Sequence, residues 1–149
     1  KIRDREITKK YLCIALGRFT PPDGRLECFL LKNEGKKEVS VHRYPVPGGK
    51  SAVTLYRTLK IREGLSLMEA ELLTGRTHQI RASFAAAGHP LLGDGKYGCG
   101  EVNRRYGETR QALYSYFIRF DFPTDAGCLT YLRGREFQVE RVSFAEKYF

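Results

Sequence analysis

The side chains best suited to chemistry crowd into one stretch, Leu72–Tyr97, which reads LLTGRTHQIRASFAAAGHPLLGDGKY. It opens with Thr74, Arg76, Thr77, His78, Gln79 and Arg81 at the junction of a predicted strand and a predicted helix. At such a junction the first backbone N–H groups of the helix lack partners and attract anions. Arg76 stands just before the helix and Arg81 on its second turn, while Thr74, Thr77 and Gln79 can hydrogen-bond to a phosphate, a sugar or the backbone. The stretch has no paired carboxylates, no Cys/His nucleophile pair and no Gly-rich phosphate loop. The same residue types also have plainer uses: Thr77 as an N-cap, His78 as an exposed helical residue, Arg81 in a surface salt bridge.

Elements on either side must position these groups. Ala52–Ile61 alternates, with Val53, Leu55, Leu59 and Ile61 on one face and Thr54, Tyr56 and Thr58 on the other. Glu63-Gly64 then turns the chain into Leu65–Leu73, which predicts an antiparallel hairpin leading into the stretch. The helix is expected to be capped by Thr74 or Thr77, to carry Ile80, Phe84 and Ala87 at helical spacing, and to end at Gly88-His89-Pro90. Upstream, Lys9–Leu16 reads as a strand closed by Gly17, followed by a turn at Pro21-Pro22-Asp23-Gly24. Short strands are predicted over Glu27–Lys32 and Val39–Tyr44, with a polar turn at Asn33–Lys37 between them. Downstream, a glycine-rich loop runs from Gly93 to Gly100, and Arg104–Gln111 is helical or looped. Strands follow over Ala112–Asp121, Leu129–Leu132 and Glu136–Glu140, then a short terminal helix over Phe144–Phe149. These elements predict an α+β fold, a mainly antiparallel mixed sheet with few helices.

Composition sets the outer bounds. A chain of 149 residues suits one domain, 1–149, and its 42% hydrophobic share can fill a core, which argues against disorder. No apolar run approaches the roughly 20 residues of a membrane span, and Lys1–Lys10 lacks the apolar centre of a signal peptide, so a soluble, unexported protein is expected. The net charge of +9 comes from 16 Arg and 10 Lys against 17 acidic residues. An arginine-rich excess points to a polyanion, of which nucleic acid is the commonest. Cys13, Cys28, Cys99 and Cys128 form no C-x-x-C pair and no grouping with His42, His78 or His89. Buried, reduced thiols in a cytoplasmic protein are therefore expected, with neither a metal site nor a disulfide framework.

The run Thr74-Gly75-Arg76-Thr77-His78-Gln79-Ile80-Arg81, with Gly88-His89-Pro90, Gly93-Asp94 and Tyr97 after it, closely resembles the C-terminal motif of the pseudouridine synthases of the RluA/RluD group. Lys9-Lys10-Tyr11-Leu12 resembles the K-x-Y-L strand of the same family, and Ala52, Thr54 and Arg110-Gln111-Ala112-Leu113 fall where it has similar segments. The resemblance covers nearly the whole chain. It implies the synthase catalytic fold and an isomerase that needs no cofactor, acting on uridine in ribosomal or transfer RNA. The C1′–N1 bond is broken, the uracil is turned and a C1′–C5 bond is made. It further implies that Tyr11 packs on the target base and serves the C5 proton transfer, and that Arg81 pairs with a catalytic carboxylate and keeps it ionised. Leu72 or Leu73 would wall the base pocket. Thr74, Arg76, Thr77, His78 and Gln79 would contact the RNA. The target uridine would leave its stack at a cost of a few kcal/mol, offset by basic residues on the flanking phosphates.

The family nucleophile is an Asp in a His-Arg-Leu-Asp run, and this sequence contains no such run. Its aspartates are Asp4, Asp23, Asp94, Asp121 and Asp125, and Asp94 reads as a structural residue of the G-H-P-x-x-G-D loop. Ser83 stands where many relatives carry His. The chain is therefore expected to be the C-terminal portion of a synthase catalytic domain, inactive without the nucleophile segment. Missing strands would expose a sheet edge and favour self-association. The alternative is a non-catalytic, basic RNA-binding module derived from that family, whose affinity would fall steeply with salt.

Overall fold

The computed structural model describes residues 7–120 and 134–149, so the strand expected at Leu129–Leu132 lies outside the described residues. Ten elements follow in order: β1 (Ile7–Leu16), β2 (Asp23–Asn33), β3 (Glu38–His42), β4 (Lys50–Arg62), β5 (Leu65–Leu72), α1 (Gln79–Ala86), α2 (Gly100–Tyr106), β6 (Leu113–Phe120), β7 (Glu136–Gln138) and α3 (Ser143–Tyr148). The strands form one sheet in the order β3-β2-β4-β5-β1-β6-β7. Every pairing among the described strands is antiparallel, in keeping with the expected α+β fold.

The β4–β5 hairpin forms as its turn dictates. Glu63 and Gly64 both take positive φ, 48° and 80°, the backbone of a tight hairpin turn, and Arg62 then pairs with Leu65. A bulge at Leu59 interrupts the predicted alternation, since Thr58 pairs with Met68 but Lys60 with Leu67. Ala52, Thr54 and Tyr56 point into the core, whereas Leu59 and Ile61 are exposed. β2 starts four residues earlier than expected. The bend is made by the prolines alone: Thr58 donates to the Pro22 carbonyl from both its amide and its hydroxyl, which frees Asp23 and Gly24 to pair with β4.

β1 lies deep in the sheet, with Cys13, Ile14 and Ala15 fully buried. One face packs Cys13, Ala15, Tyr56, Met68 and Ala70 against Ile80 and Phe84 of α1. The other packs Ile14, Leu65, Leu67 and Leu92 against α2 and α3 through Val102, Phe144 and Tyr148. α2 begins earlier than the predicted Arg104–Gln111 segment and stops at Gly107, whose φ of 69° ends the helix.

Candidate active site

Strand parity selects which side chains reach the site. Tyr11 pairs with Ala70 and Ser115, and Lys9 pairs with Leu72, so Tyr11 and Leu72 share the α1 face of the sheet. A cavity of about 380 Å³ opens there, walled by Tyr11, Leu72, Ile80 and Leu113 and edged by Arg76, His78, Arg81 and Gln111, with Gln79 at its inner end. Three sequence-distant segments thus meet around one half-apolar hollow. The Tyr11 hydroxyl has no hydrogen-bond partner among the described residues.

The loop before α1 is held from beneath by Gln79, which is 2% exposed. Its Nε2 donates to the Val53 carbonyl (3.0 Å) and Thr54 Oγ1 (2.9 Å), while its Oε1 accepts from Thr74 Oγ1 (2.8 Å) and the Arg76 amide (3.0 Å). All of its hydrogen-bonding capacity is spent inside the fold. The expectation that Gln79 contacts RNA is corrected on that ground, and its side chain positions the loop instead. Thr74 is spent likewise, since its hydroxyl also accepts from the Val53 amide. Neither Thr74 nor Thr77 caps α1. His78 occupies the N-cap with φ 52° and ψ 28°, and no side chain caps the helix. Leu73 follows the end of β5 and does not line the cavity. Thr77 is exposed on a neighbouring groove.

Arg81 makes a bidentate pair with Asp94: Nε donates to Oδ2 and Nη2 to Oδ1, both at 2.9 Å. The side chains are 15% and 0% exposed, so this is no surface salt bridge. Desolvation alone would push the Asp94 carboxyl up, but the bonds from Arg81 and from the backbone N–H groups of Tyr97 and Lys96 outweigh it and hold the acid below its usual range. The same pairing raises Arg81 further. Asp94 also fixes the glycine-rich loop, whose Gly93 amide and Asp94 carbonyl both bond to the buried Asn103 side chain. The loop role read for Asp94 is thus borne out. Its pairing with Arg81 across 13 residues carries no local sequence signal.

Tyr97 completes the arrangement. Its ring lies 5.3 Å from the Arg81 guanidinium. Its hydroxyl accepts from the Val39 amide at 2.9 Å and meets His78 Nδ1 at 2.9 Å. We assign the hydroxyl proton to Nδ1, which leaves the remaining His78 proton on Nε2. Desolvation, then the nearby Arg81 and Lys96 charges, lower the His78 pKa and keep the ring neutral at pH 7. His78 is therefore a neutral donor at the cavity edge. The residues the motifs did not single out as ligands are Ile80, Gln111 and Leu113; the Arg110–Leu113 similarity was the available signal for the last two. Among the described residues no group of three His, Cys, Asp or Glu side chains could hold a metal ion.

The antiparallel sheet and its first helix thus enclose a half-apolar, arginine-edged cavity. Residues 1–86 match the family model described as RNA pseudouridylate synthase, and the chain belongs to that family. It is 39% identical over 129 residues to the uncharacterized RNA pseudouridine synthase YhcT of Bacillus subtilis, covering 82% of this chain and 40% of that protein. It is 33% identical over 132 residues to ribosomal large subunit pseudouridine synthase D of Neisseria meningitidis, covering 83% and 34%. The chain thus spans about 40% or less of the length of these relatives. The solved structure of human RNA pseudouridylate synthase domain containing 1 shares the fold, with a TM-score of 0.68 at 22% identity over 97% of this chain and 66% of that one.

Proposed function

We propose that this chain forms the base-binding part of a single catalytic domain that isomerises uridine to pseudouridine in ribosomal or transfer RNA. The observation that supports it best is the convergence of Tyr11, Leu72 and Arg81 from β1, β5 and α1 on one cavity, in a chain of this family. In this reading the flipped uracil lies against Tyr11 between Leu72 and Leu113, and His78 Nε2–H donates to a carbonyl of the base or a neighbouring oxygen. Tyr11, with its hydroxyl unspent, takes part in moving the C5 proton. Arg81 and Arg76 face the sugar and phosphate. The attacking carboxylate comes from outside these 149 residues, which contain no His-Arg-Leu-Asp run. They are inactive alone because geometry does not replace a nucleophile.

Tritium release from RNA carrying 5-tritiated uridine tests this. The 149-residue chain should release none. The same chain joined to an upstream segment bearing the His-Arg-Leu-Asp run should release it, and Asp→Ala in that run should abolish release. Release by the chain alone overturns the assignment to an outside nucleophile, and release that survives Asp→Ala overturns the role of that Asp.

One observation favours a second reading, a non-catalytic RNA-binding module: Arg81 is already paired with Asp94 through Nε and Nη2, leaving three of its five N–H groups for another partner. Tritium release by the joined protein decides against it. We further place the protein in the cytoplasm, on the free state of the three described cysteines. Self-association is proposed through exposed apolar side chains on β4, β6 and β7, namely Leu59, Ile61, Tyr114 and Phe137. A strictly monomeric species by light scattering across a concentration series would count against it.

A further inference from the structure

A second, smaller groove lies beside the Tyr11 cavity and shares Arg76 with it. Its volume is about 140 Å³, and Lys32, Lys50, Arg76, Thr77, Gly48 and Gly75 are its polar and glycine lining. Register places its two lysines on the site face. Lys50 pairs with Leu30, which is buried beneath α1, and Lys32 lies two residues further along β2 on the same side. No carboxylate lines the groove. Lys50 has no acidic partner among the described residues, and the contact from Lys32 to Glu34 is 3.9 Å long between side chains that are 53% and 84% exposed. A pair of that kind leaves the lysine charge available. Arg76 is aimed by a 2.9 Å bond from Nε to the Ser51 carbonyl, with its two amino groups unspent. The amides of Gly75 and Thr77 and the Thr77 hydroxyl also have no protein partner among the described residues. Three cations and several free donors therefore converge on a space much smaller than the adjoining cavity.

We propose that this groove is an anion site, separate from the base cavity, that takes a phosphodiester of the RNA strand. The phosphate belongs to the strand that carries the flipped nucleotide, since Arg76 lines both the groove and the Tyr11 cavity. That the anion is RNA rests on the function proposed above; that the groove binds an anion does not. The arrangement gives the strand a fixed grip on one side of the cavity, with Arg76 reaching into both.

Two measurements test this on the full chain. In the first, inorganic phosphate is titrated into nitrogen-15-labelled protein. The amide signals of Gly75, Arg76 and Thr77 should shift saturably, and Lys32→Ala/Lys50→Ala should abolish the shifts. Absence of saturable shifts overturns the anion site whatever the protein does to RNA. In the second, affinity for a uridine-bearing hairpin RNA is followed across salt concentration. For one lost phosphate contact on a single strand, the double variant should flatten the slope of log K against log salt by about 0.7. Lys36→Ala/Lys60→Ala removes the same charge elsewhere on the surface and should leave the slope near that of the unaltered chain. An equal flattening by that control reduces the effect to net charge and overturns the site. Phosphate shifts with an unchanged slope overturn RNA as its ligand while leaving the proposed function standing. No RNA binding by the unaltered chain overturns that function instead. Both lysines are exposed, and Lys32→Gln/Lys50→Gln, which keeps the side-chain stems, serves as a second variant with the same expected result.

Discussion

The helices on the two faces of the sheet are fastened by opposite means. α1 is anchored through buried polar groups: Gln79 with its four bonds, Arg81 paired to Asp94, and Asn103 bracing the loop that holds Asp94. No buried side-chain nitrogen or oxygen among the described residues lacks a partner. α3, in contrast, has no fully buried residue. It rests on Ile14 and Leu67 through half-buried Phe144 and Tyr148, and its polar ties, Lys147 to Glu108 and Arg141 to Glu146, lie near the surface. Hydrophobic contact alone tolerates small shifts. A satisfied buried network does not, because any displacement leaves a polar group unpaired in low dielectric. The rigid fastening is on the face that carries Tyr11, Arg81 and His78.

The sharpest way to break that contrast is Asp94→Ala. It strands the largely buried Arg81 charge and removes the acceptor of two loop amides, for an expected loss of about 3–5 kcal/mol in urea unfolding. A loss below about 1 kcal/mol would mean that water replaces the carboxylate, and the rigid-network account would be wrong. The folded Asp94 carboxyl lies below its unfolded value of about 3.9. Its contribution is thus complete above about pH 4 and is lost as pH falls through the folded pKa. Asp94→Asn should flatten the decline in stability between pH 5 and the acid limit.

Gln79→Ala comes next, at about 2–3 kcal/mol, because the Arg76 amide and the Thr74 hydroxyl lose their acceptor and the Val53 carbonyl keeps only the Leu73 amide. Gln79→Glu sharpens the reading, since it keeps the acceptor for Arg76 but turns the donor toward Val53 into a buried repulsion. A Glu variant as stable as the parent would show that Nε2 carries no weight. Tyr97→Phe should cost less, about 1 kcal/mol, but has a specific signature. In the unaltered protein, nitrogen-15 spectra should show His78 neutral and protonated on Nε2, and the variant should lose that tautomer preference. Protonation on Nδ1 in the parent would overturn the assigned direction of the Tyr97–His78 bond.

The unequal legibility of the sequence follows the same division. The β4–β5 hairpin, the end of α1 at Gly88 and the strand carrying Tyr11 are local: Glu63-Gly64, the glycine and the alternation each act within a few residues. The N-cap is not legible locally because Thr74 is taken by Gln79 and Val53, contacts that exist only once β4 is alongside. Leu72 was separable from Leu73 only after the register with β1 was known. The Arg81–Asp94 pair, the Tyr97 bridge from Val39 to His78 and the Lys32–Lys50 groove join segments between 13 and 58 residues apart, or strands whose order the sequence does not print. Motif similarity located the residues of the site; packing alone assigned which of them face the cavity and which hold it in place.

The smallest effect belongs to the opposite face, and it decides whether the comparison is real. Lys147 bonds Glu108 at 2.8 Å, and Tyr148 donates to the same carboxylate at 2.5 Å. The Lys147 bond, then that of Tyr148, draws the Glu108 acid below its usual range, yet Lys147 itself stays in solvent, where ion pairs gain little after screening and side-chain ordering. Lys147→Ala should leave the melting temperature unchanged within error at physiological salt. At low salt a small decrease should emerge, since the Debye length grows from about 8 Å at 0.15 M to about 30 Å at 0.01 M. Should Lys147→Ala instead lower the melting temperature as much as Gln79→Ala, the two helices would be fastened alike. The rigidity argued for the cavity face would then be a property of the whole sheet.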